Sequence, residues 1–122
     1  MRRVRQLTEM GCGVACVAMV AEVDYFTAYA AIFGLSEPKD HSTEAADLRR
    51  GLRRLGIRAA ARLIPLAGWR CSELETTAIV KVNPTQDGWH WVVWDAERQC
   101  IIDPMTRPYR RHRAISYLRI LG

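Results

Sequence analysis

The stretch "QLTEMGCGVACVAMV", residues 6–20, sets a cysteine between two glycines where an apolar run begins. A thiol is a useful nucleophile only as the thiolate, which requires surroundings that favour the anion. A helix N-terminus provides them, through N–H groups without intrahelical acceptors and the positive end of the dipole. Cys12 is expected at such a position, and Gly11 and Gly13 are expected to leave room for a substrate backbone. Covalent catalysis by a thiol also needs a base, usually histidine, and a third group to hold the imidazole. Donors for the oxyanion formed on attack complete the set. His90 lies in "GWHWVVWD" and Asp103 in "IIDP", on consecutive predicted strands joined by a short turn. Pairing of those strands would bring the two side chains within reach of each other. Gln6, six residues before Cys12, carries an amide that can donate to an oxyanion beside the Cys12 N–H.

Those residues must be placed by the elements around them. From Cys12 to Ala21 the chain is apolar nearly all round, which predicts a buried helix. Asp24 is placed to cap a second helix, "YFTAYAAIF", that Gly34 stops. After the turn-rich loop "SEPKDHS", Thr43 or Ser42 is expected to cap a third helix, "EAADLRRGLRRLG", ended by Gly56. Ala45, Leu48, Leu52 and Leu55 recur there at spacings of three and four and define a buried face. Arg49, Arg50, Arg53 and Arg54 take the other faces, read as solvated. Strands are then expected at "IRAAARLI", at "TAIVKV" ending in the turn signal Asn83-Pro84, at "WHWVVWD", at "CIIDP" after the turn "AERQ", and at "AISYLRIL". Alternation puts His90, Val92 and Trp94 on one strand face and Trp89, Trp91 and Val93 on the other. Helices first and an antiparallel sheet after them predict an α+β fold.

Taken together, Gln6, the run Cys12-Gly13-x-Ala15-Cys16-x-Ala18-Met19, the strand His90-x-Val92-Val93 and Asp103-Pro104 resemble the C39 family of cysteine peptidases. Those are papain-fold domains, best known as the leader-cutting domains of bacteriocin-exporting ABC transporters. The helix "DLRRGLRRLGI" also resembles the family's "L…aL…lG" helix, and the resemblance covers almost the whole chain. It implies a papain-like fold in a single domain over residues 1–122, N-terminal helices packed on a C-terminal antiparallel sheet. Cys12 would be the nucleophile, His90 the base, Asp103 the residue that orients it and Gln6 an oxyanion donor. The implied substrate is a peptide or protein threaded through a groove that is narrow beside the scissile bond, often cut after Gly-Gly. No metal or cofactor is implied. One departure stands out: Gly11 occupies the position where the family usually carries Asp or Glu. The transporter members continue into membrane and nucleotide-binding domains, which this chain lacks. A stand-alone or effector-type relative is therefore expected, in one version an antibacterial protease toxin restrained by an immunity protein.

Each residue also has a plainer use. Cys12 and His90 are core residues in many proteins, Asp-Pro often opens a turn, and Gln6 read alone is an ordinary surface residue. Cys16 reads as a small core residue, and Cys71 and Cys100 as core or chance residues. His41 and His112 are rival bases in polar surroundings, and Asp95 and Asn83 are fallback orienters. Trp69, Trp89, Trp91 and Trp94 are divided between core and groove, with at least two assigned to the core. The same Cys–His–Asp site supports a deamidase or transglutaminase-like acyl transfer through the same thioester, and a non-catalytic peptide-binding module is the third reading.

The 122 residues, 49% hydrophobic and 25% charged, suit one soluble domain. No apolar run nears the ~18 residues of a membrane span, and no apolar segment follows the basic residues of "MRRVRQLTEM" as in a secretory signal. The net charge of +5 is carried almost wholly by Arg, with Lys only at positions 39 and 81, a bias of GC-rich bacterial coding sequences. Neither helix three nor "RPYRRHR" comes with a nucleic-acid-binding motif, so neither nucleic acid nor membrane is expected as a partner. The spacing of the four cysteines fits no zinc site and no disulfide framework, so reduced thiols and a cytoplasmic location are expected.

Overall fold

The computed structural model describes residues 1–34, 37–66, 70–85, 88–107 and 113–122. Three helices come first: α1 (Cys12–Ala21), α2 (Tyr25–Phe33) and α3 (Ala45–Arg54). Five strands follow: β1 (Ile64–Pro65), β2 (Ala78–Thr85), β3 (Gly88–Asp95), β4 (Cys100–Ile102) and β5 (Ala114–Arg119). They form one sheet in the order β1-β5-β2-β3-β4, every neighbouring pair antiparallel. The architecture is α+β, as expected, and is consistent with a papain-like arrangement.

α1 is the central helix. Every residue from Cys12 to Met19 is buried, so the helix presents no solvent face. Only a helix apolar all round tolerates that position. Its end needs no glycine: Glu22 adopts φ 57°, and the Val23 N–H returns to the Ala18 carbonyl at 3.0 Å. α2 is capped as predicted, the Asp24 carboxylate accepting from the Thr27 N–H at 2.7 Å, and it stops at Gly34 with φ 97°. No single helix among the described residues is long and apolar enough to cross a membrane.

α3 begins differently from the sequence expectation. Its cap is Glu44, whose N–H donates to the Asp47 carboxylate at 2.8 Å, and neither Ser42 nor Thr43 takes that role. Thr43 is buried beneath α1 instead. Leu48, Gly51 and Leu52 form the buried face. The arginines opposite are not merely solvated. Arg50 Nε donates to the Ile32 carbonyl and Arg54 Nη1 to that of Ala31, both at 3.0 Å. They satisfy carbonyls that the last turn of α2 leaves open. Arg49, Arg50, Arg53 and Arg58 also line a concavity of about 610 Å³ floored by Ala46, Ala59 and their neighbours.

The sheet separates two apolar clusters. Trp91, Val93, Ile79 and Leu118 pack with the helices, while Val92, Trp94, Val80 and Val82 pack with Leu66 and Cys71 on the other side. β3 is thus buried on both faces from His90 to Asp95, and the alternation read from its sequence holds from Trp91 to Trp94. Each such aliphatic or aromatic side chain withdrawn from water contributes about 1.5–3 kcal/mol. Trp91 and Trp94 are the core tryptophans, donating to the carbonyls of Thr43 and Leu74 at 3.0 and 3.1 Å. Trp89 is 39% exposed, with Lys81 Nζ 4.7 Å from its ring. Trp69 lies outside the described residues.

Two strand expectations need correction. Of "IRAAARLI" only Ile64 joins a strand, and Ala59 makes a single bridge to Ile120. That segment runs beside the end of β5 through isolated bonds, such as the Ala60 N–H to the Arg119 carbonyl at 2.8 Å. β2, for its part, does not end at Asn83-Pro84. It continues to Thr85 across a bulge, and Thr85 pairs with Gly88. A proline at an irregularity in the ladder removes no bond that the sheet needs.

Candidate active site

Cys12 is the first residue of α1. The turn before it is closed by the Gly11 N–H donating to the Thr8 carbonyl at 3.1 Å. In the first helical turn the N–H groups of Cys12, Gly13 and Val14 have no intrahelical acceptor and carry the positive end of the dipole. Neither flanking glycine opens toward a substrate, contrary to the expectation from sequence. A Cβ at Gly11 would lie 2.2 Å from the Tyr25 hydroxyl, and one at Gly13 would lie 1.8 Å from Thr43 Oγ1. Both glycines are there so that a neighbouring side chain of the same chain can approach the backbone. Tyr25 therefore fills the space beside Gly11, and burial raises its phenol above the ordinary range.

β3 and β4 bring the other two groups in. The register Asp95↔Cys100, Trp94↔Ile101, Val93↔Ile102 closes a hairpin around 96–99. Asp103 is the first residue beyond β4, and its Oδ1 accepts from His90 Nε2 at 2.8 Å. The same oxygen accepts the Met105 N–H at 2.9 Å. Cys12 is the second hydrogen-bonding neighbour of the imidazole. Since Nε2 is engaged by Asp103, Nδ1 is the nitrogen left for the thiol. Burial alone would push the imidazole down. The hydrogen bonds and negative charges of Asp103 and Cys12 outweigh it and raise His90 to about 9. The ring is therefore an imidazolium at neutral pH, held between an acceptor that fixes it and a sulfur that it can protonate.

Cys12 is 7% exposed, His90 6% and Asp103 4%, so the group is almost enclosed. Cys16, one turn along α1, is fully buried, and burial pushes its thiol well above the usual range, with the charges of Cys12 and Asp103 adding to the effect. It stays a neutral packing residue, as read from the sequence. Among the described residues the cysteines are all free, and Cys100 alone is exposed.

Gln6 stands at the site in a specific way. Its backbone N–H donates to the Pro104 carbonyl at 2.9 Å, tying it to the Asp103 loop. Its side-chain Nε2 donates to the carbonyls of Thr8 at 3.0 Å and Glu9 at 2.8 Å. Those two acceptors fix which end of the amide is nitrogen. To serve an oxyanion, Gln6 has to share or release one of these bonds.

Two of the rival residues, His41 and Asp95, fall elsewhere. His41 stacks at 6.3 and 5.0 Å on Tyr29 and Phe33 of α2. Asp95 accepts from the Glu97 and Arg98 N–H groups in the hairpin turn, and the Asn83 N–H pairs with the Arg113 carbonyl. His112 lies outside the described residues, as do positions 108–111 of "RPYRRHR".

One contributor was not legible in the sequence. Arg3 Nε donates to the Asp103 carbonyl at 2.8 Å, and its Nη2 donates to the Met105 carbonyl. Residues 1–10 read as polar and irregular, and a contact across a hundred positions leaves no periodic signal. None of the curated proteins and none of the solved structures matches this chain. The Peptidase C39 family model matches residues 1–115, and the chain belongs to that family.

Proposed function

We propose that this protein is a papain-type cysteine endopeptidase. The observation that carries the reading is the His90 imidazole engaged by Asp103 Oδ1 at 2.8 Å on one side and by Cys12 on the other, in a C39-family chain. Cys12 Sγ, as the thiolate, attacks the scissile carbonyl carbon. The oxyanion is received at the N-terminus of α1 by the Cys12 N–H, with Gln6 as second donor. His90 passes its proton to the leaving amine, which departs to give a thioester. Water, deprotonated by His90, then attacks the acyl carbon; the C–S bond breaks, the acyl half leaves as the carboxylic acid and the Cys12 thiolate beside protonated His90 is restored, while Asp103 keeps the ring oriented in both halves. The near-enclosure of Cys12 supports a substrate with small residues next to the cut, of the Gly-Gly type.

The test compares wild type with Cys12→Ala against a proteome-derived peptide library, reading new N-termini by mass spectrometry. New termini from wild type and none from Cys12→Ala are expected, a loss of at least about 10³-fold. Equal cleavage by both proteins sinks the reading. Intact chains carrying the mass shift of glutamine deamidation would transfer the same residues to acyl transfer instead. The antibacterial version, with an inhibitory partner covering the site, requires in addition that expression be toxic to bacteria in wild type and harmless in Cys12→Ala.

A further inference from the structure

Asp103 lies just beyond β4, which ends at Ile102. Bonds to its loop come from the other end of the sequence. Three consecutive carbonyls, those of Asp103, Pro104 and Met105, each accept a hydrogen bond from residues 3 to 6: from Arg3 Nε at 2.8 Å, from the Gln6 N–H at 2.9 Å and from Arg3 Nη2. Within this bracket the Met105 N–H donates to Asp103 Oδ1, the oxygen that also accepts from His90 Nε2. The aim of that oxygen therefore follows the path of residues 103–105, which the guanidinium of Arg3 brackets at both ends and the Gln6 N–H holds in the middle.

We propose that Arg3 is a positioning residue, which fixes the Asp103 carboxylate on His90 through the backbone of residues 103–105. This rests on the reading of Cys12, His90 and Asp103 as the working group. Arginine suits the task because its planar fork delivers two donors in fixed relation, one to each end of a three-residue loop. A lysine delivers its donors from a single point and cannot bracket both carbonyls. Arg3 touches neither substrate nor reacting atoms, so its loss acts on turnover through the imidazole. Neighbouring Arg2 is exposed and shares with Arg3 a concavity beside Glu22 and Asp24, but the bracket on residues 103–105 is made by Arg3 and Gln6, which makes Arg2 the control.

The experiment takes the full chain as wild type, Arg3→Ala, Arg3→Lys and Arg2→Ala. It has two readouts: cleavage kinetics on a peptide that wild type cuts, and the NMR titration of the His90 ring, which needs no substrate. Arg3→Ala is expected to lower kcat about 10- to 100-fold with KM changed less than about 3-fold, because only the orientation of the base is lost. Its His90 titration should move down toward the ordinary value of 6.5. Arg3→Lys should recover part of both effects, and Arg2→Ala should match wild type. Wild-type kcat and wild-type titration in Arg3→Ala overturn the proposal. Where Arg3→Ala does not fold, Arg3→Lys decides in the same way: both values lowered in the folded protein support the proposal, and both unchanged overturn it. If wild type cuts no peptide at all, the peptidase reading fails by itself, and the His90 titration still decides the role of Arg3.

Discussion

The two ends of the β3–β4 hairpin carry the same device. Asp95 closes one end and Asp103 lies just beyond the other, with 3% and 4% of their surface exposed. Each uses Oδ1 to accept a backbone N–H two residues on, from Glu97 at 3.1 Å and from Met105 at 2.9 Å. An Asp followed by such a turn is ordinary loop chemistry. What separates them is the neighbour that tertiary packing supplies. Asp95 faces the mostly exposed Arg98, with Nε 3.9 Å away. Asp103 faces the enclosed ring of His90 at 2.8 Å, and beyond that ring lies Cys12. One aspartate folds a turn, whereas the other folds a turn and holds an imidazole. The turn geometry is no guide to which is which; the group opposite decides.

The contrast makes a matched substitution informative. Asn keeps an acceptor for the turn but removes the charge and presents an amide to the imidazole. Asp103→Asn is therefore expected to lower kcat on a cleaved peptide by about 10²–10⁴-fold, while Asp95→Asn stays within about 2-fold of wild type. Equal losses in the two variants would dissolve the distinction.

A second experiment follows unfolding free energy against pH. His90 is raised in the folded protein, from 6.5 to about 9. The stabilisation from its imidazolium is thus complete below about pH 6.5 and is lost as pH rises through about 9. Denaturant melts from pH 6 to 9.5 should show a loss of up to a few kcal/mol in wild type and a clearly smaller one in Asp103→Asn. Asp95→Asn should follow the wild-type curve. Superimposable curves for wild type and Asp103→Asn would mean that the carboxylate does not hold the proton on His90.

The smallest effects belong to the turn. Asp95→Ala leaves the Glu97 and Arg98 N–H groups without their acceptor and should cost about 1–2 kcal/mol with activity retained. Arg98→Ala removes a long ion pair at the surface and a bond to the Met1 carbonyl. It should cost less than about 1 kcal/mol in a chemical melt. A larger loss from Arg98→Ala than from Asp95→Ala would show that the Met1 contact, rather than the turn, holds this end together.

Much of this was legible before any coordinates. α1 and α2 have the bounds read from the sequence, because an apolar run after a glycine, an Asp cap and a stopping Gly are local signals that tertiary structure had no reason to override. β3, β4 and β5 were visible for the same reason, in their aromatic and β-branched runs. Reading "IRAAARLI" as a strand failed because short apolar residues at an edge carry no information about whether a partner strand reaches them. Capping by Ser42 or Thr43 failed because Gly13 of α1 needs Thr43 for packing, a demand made from thirty positions away.

By itself, then, the sequence determined the chemical inventory: a thiol at a helix start, a His on one strand and an Asp at the end of the next, a Gln just upstream, and the family these motifs belong to. Those are matters of residue type and local spacing, which the chain carries in one dimension. Tertiary structure alone decided that both flanking glycines serve packing and that Arg3 brackets the Asp103 loop. Each of these depends on groups from fourteen to about a hundred residues apart coming to contact distance. No local pattern encodes that convergence; only the packed chain holds those groups at that distance.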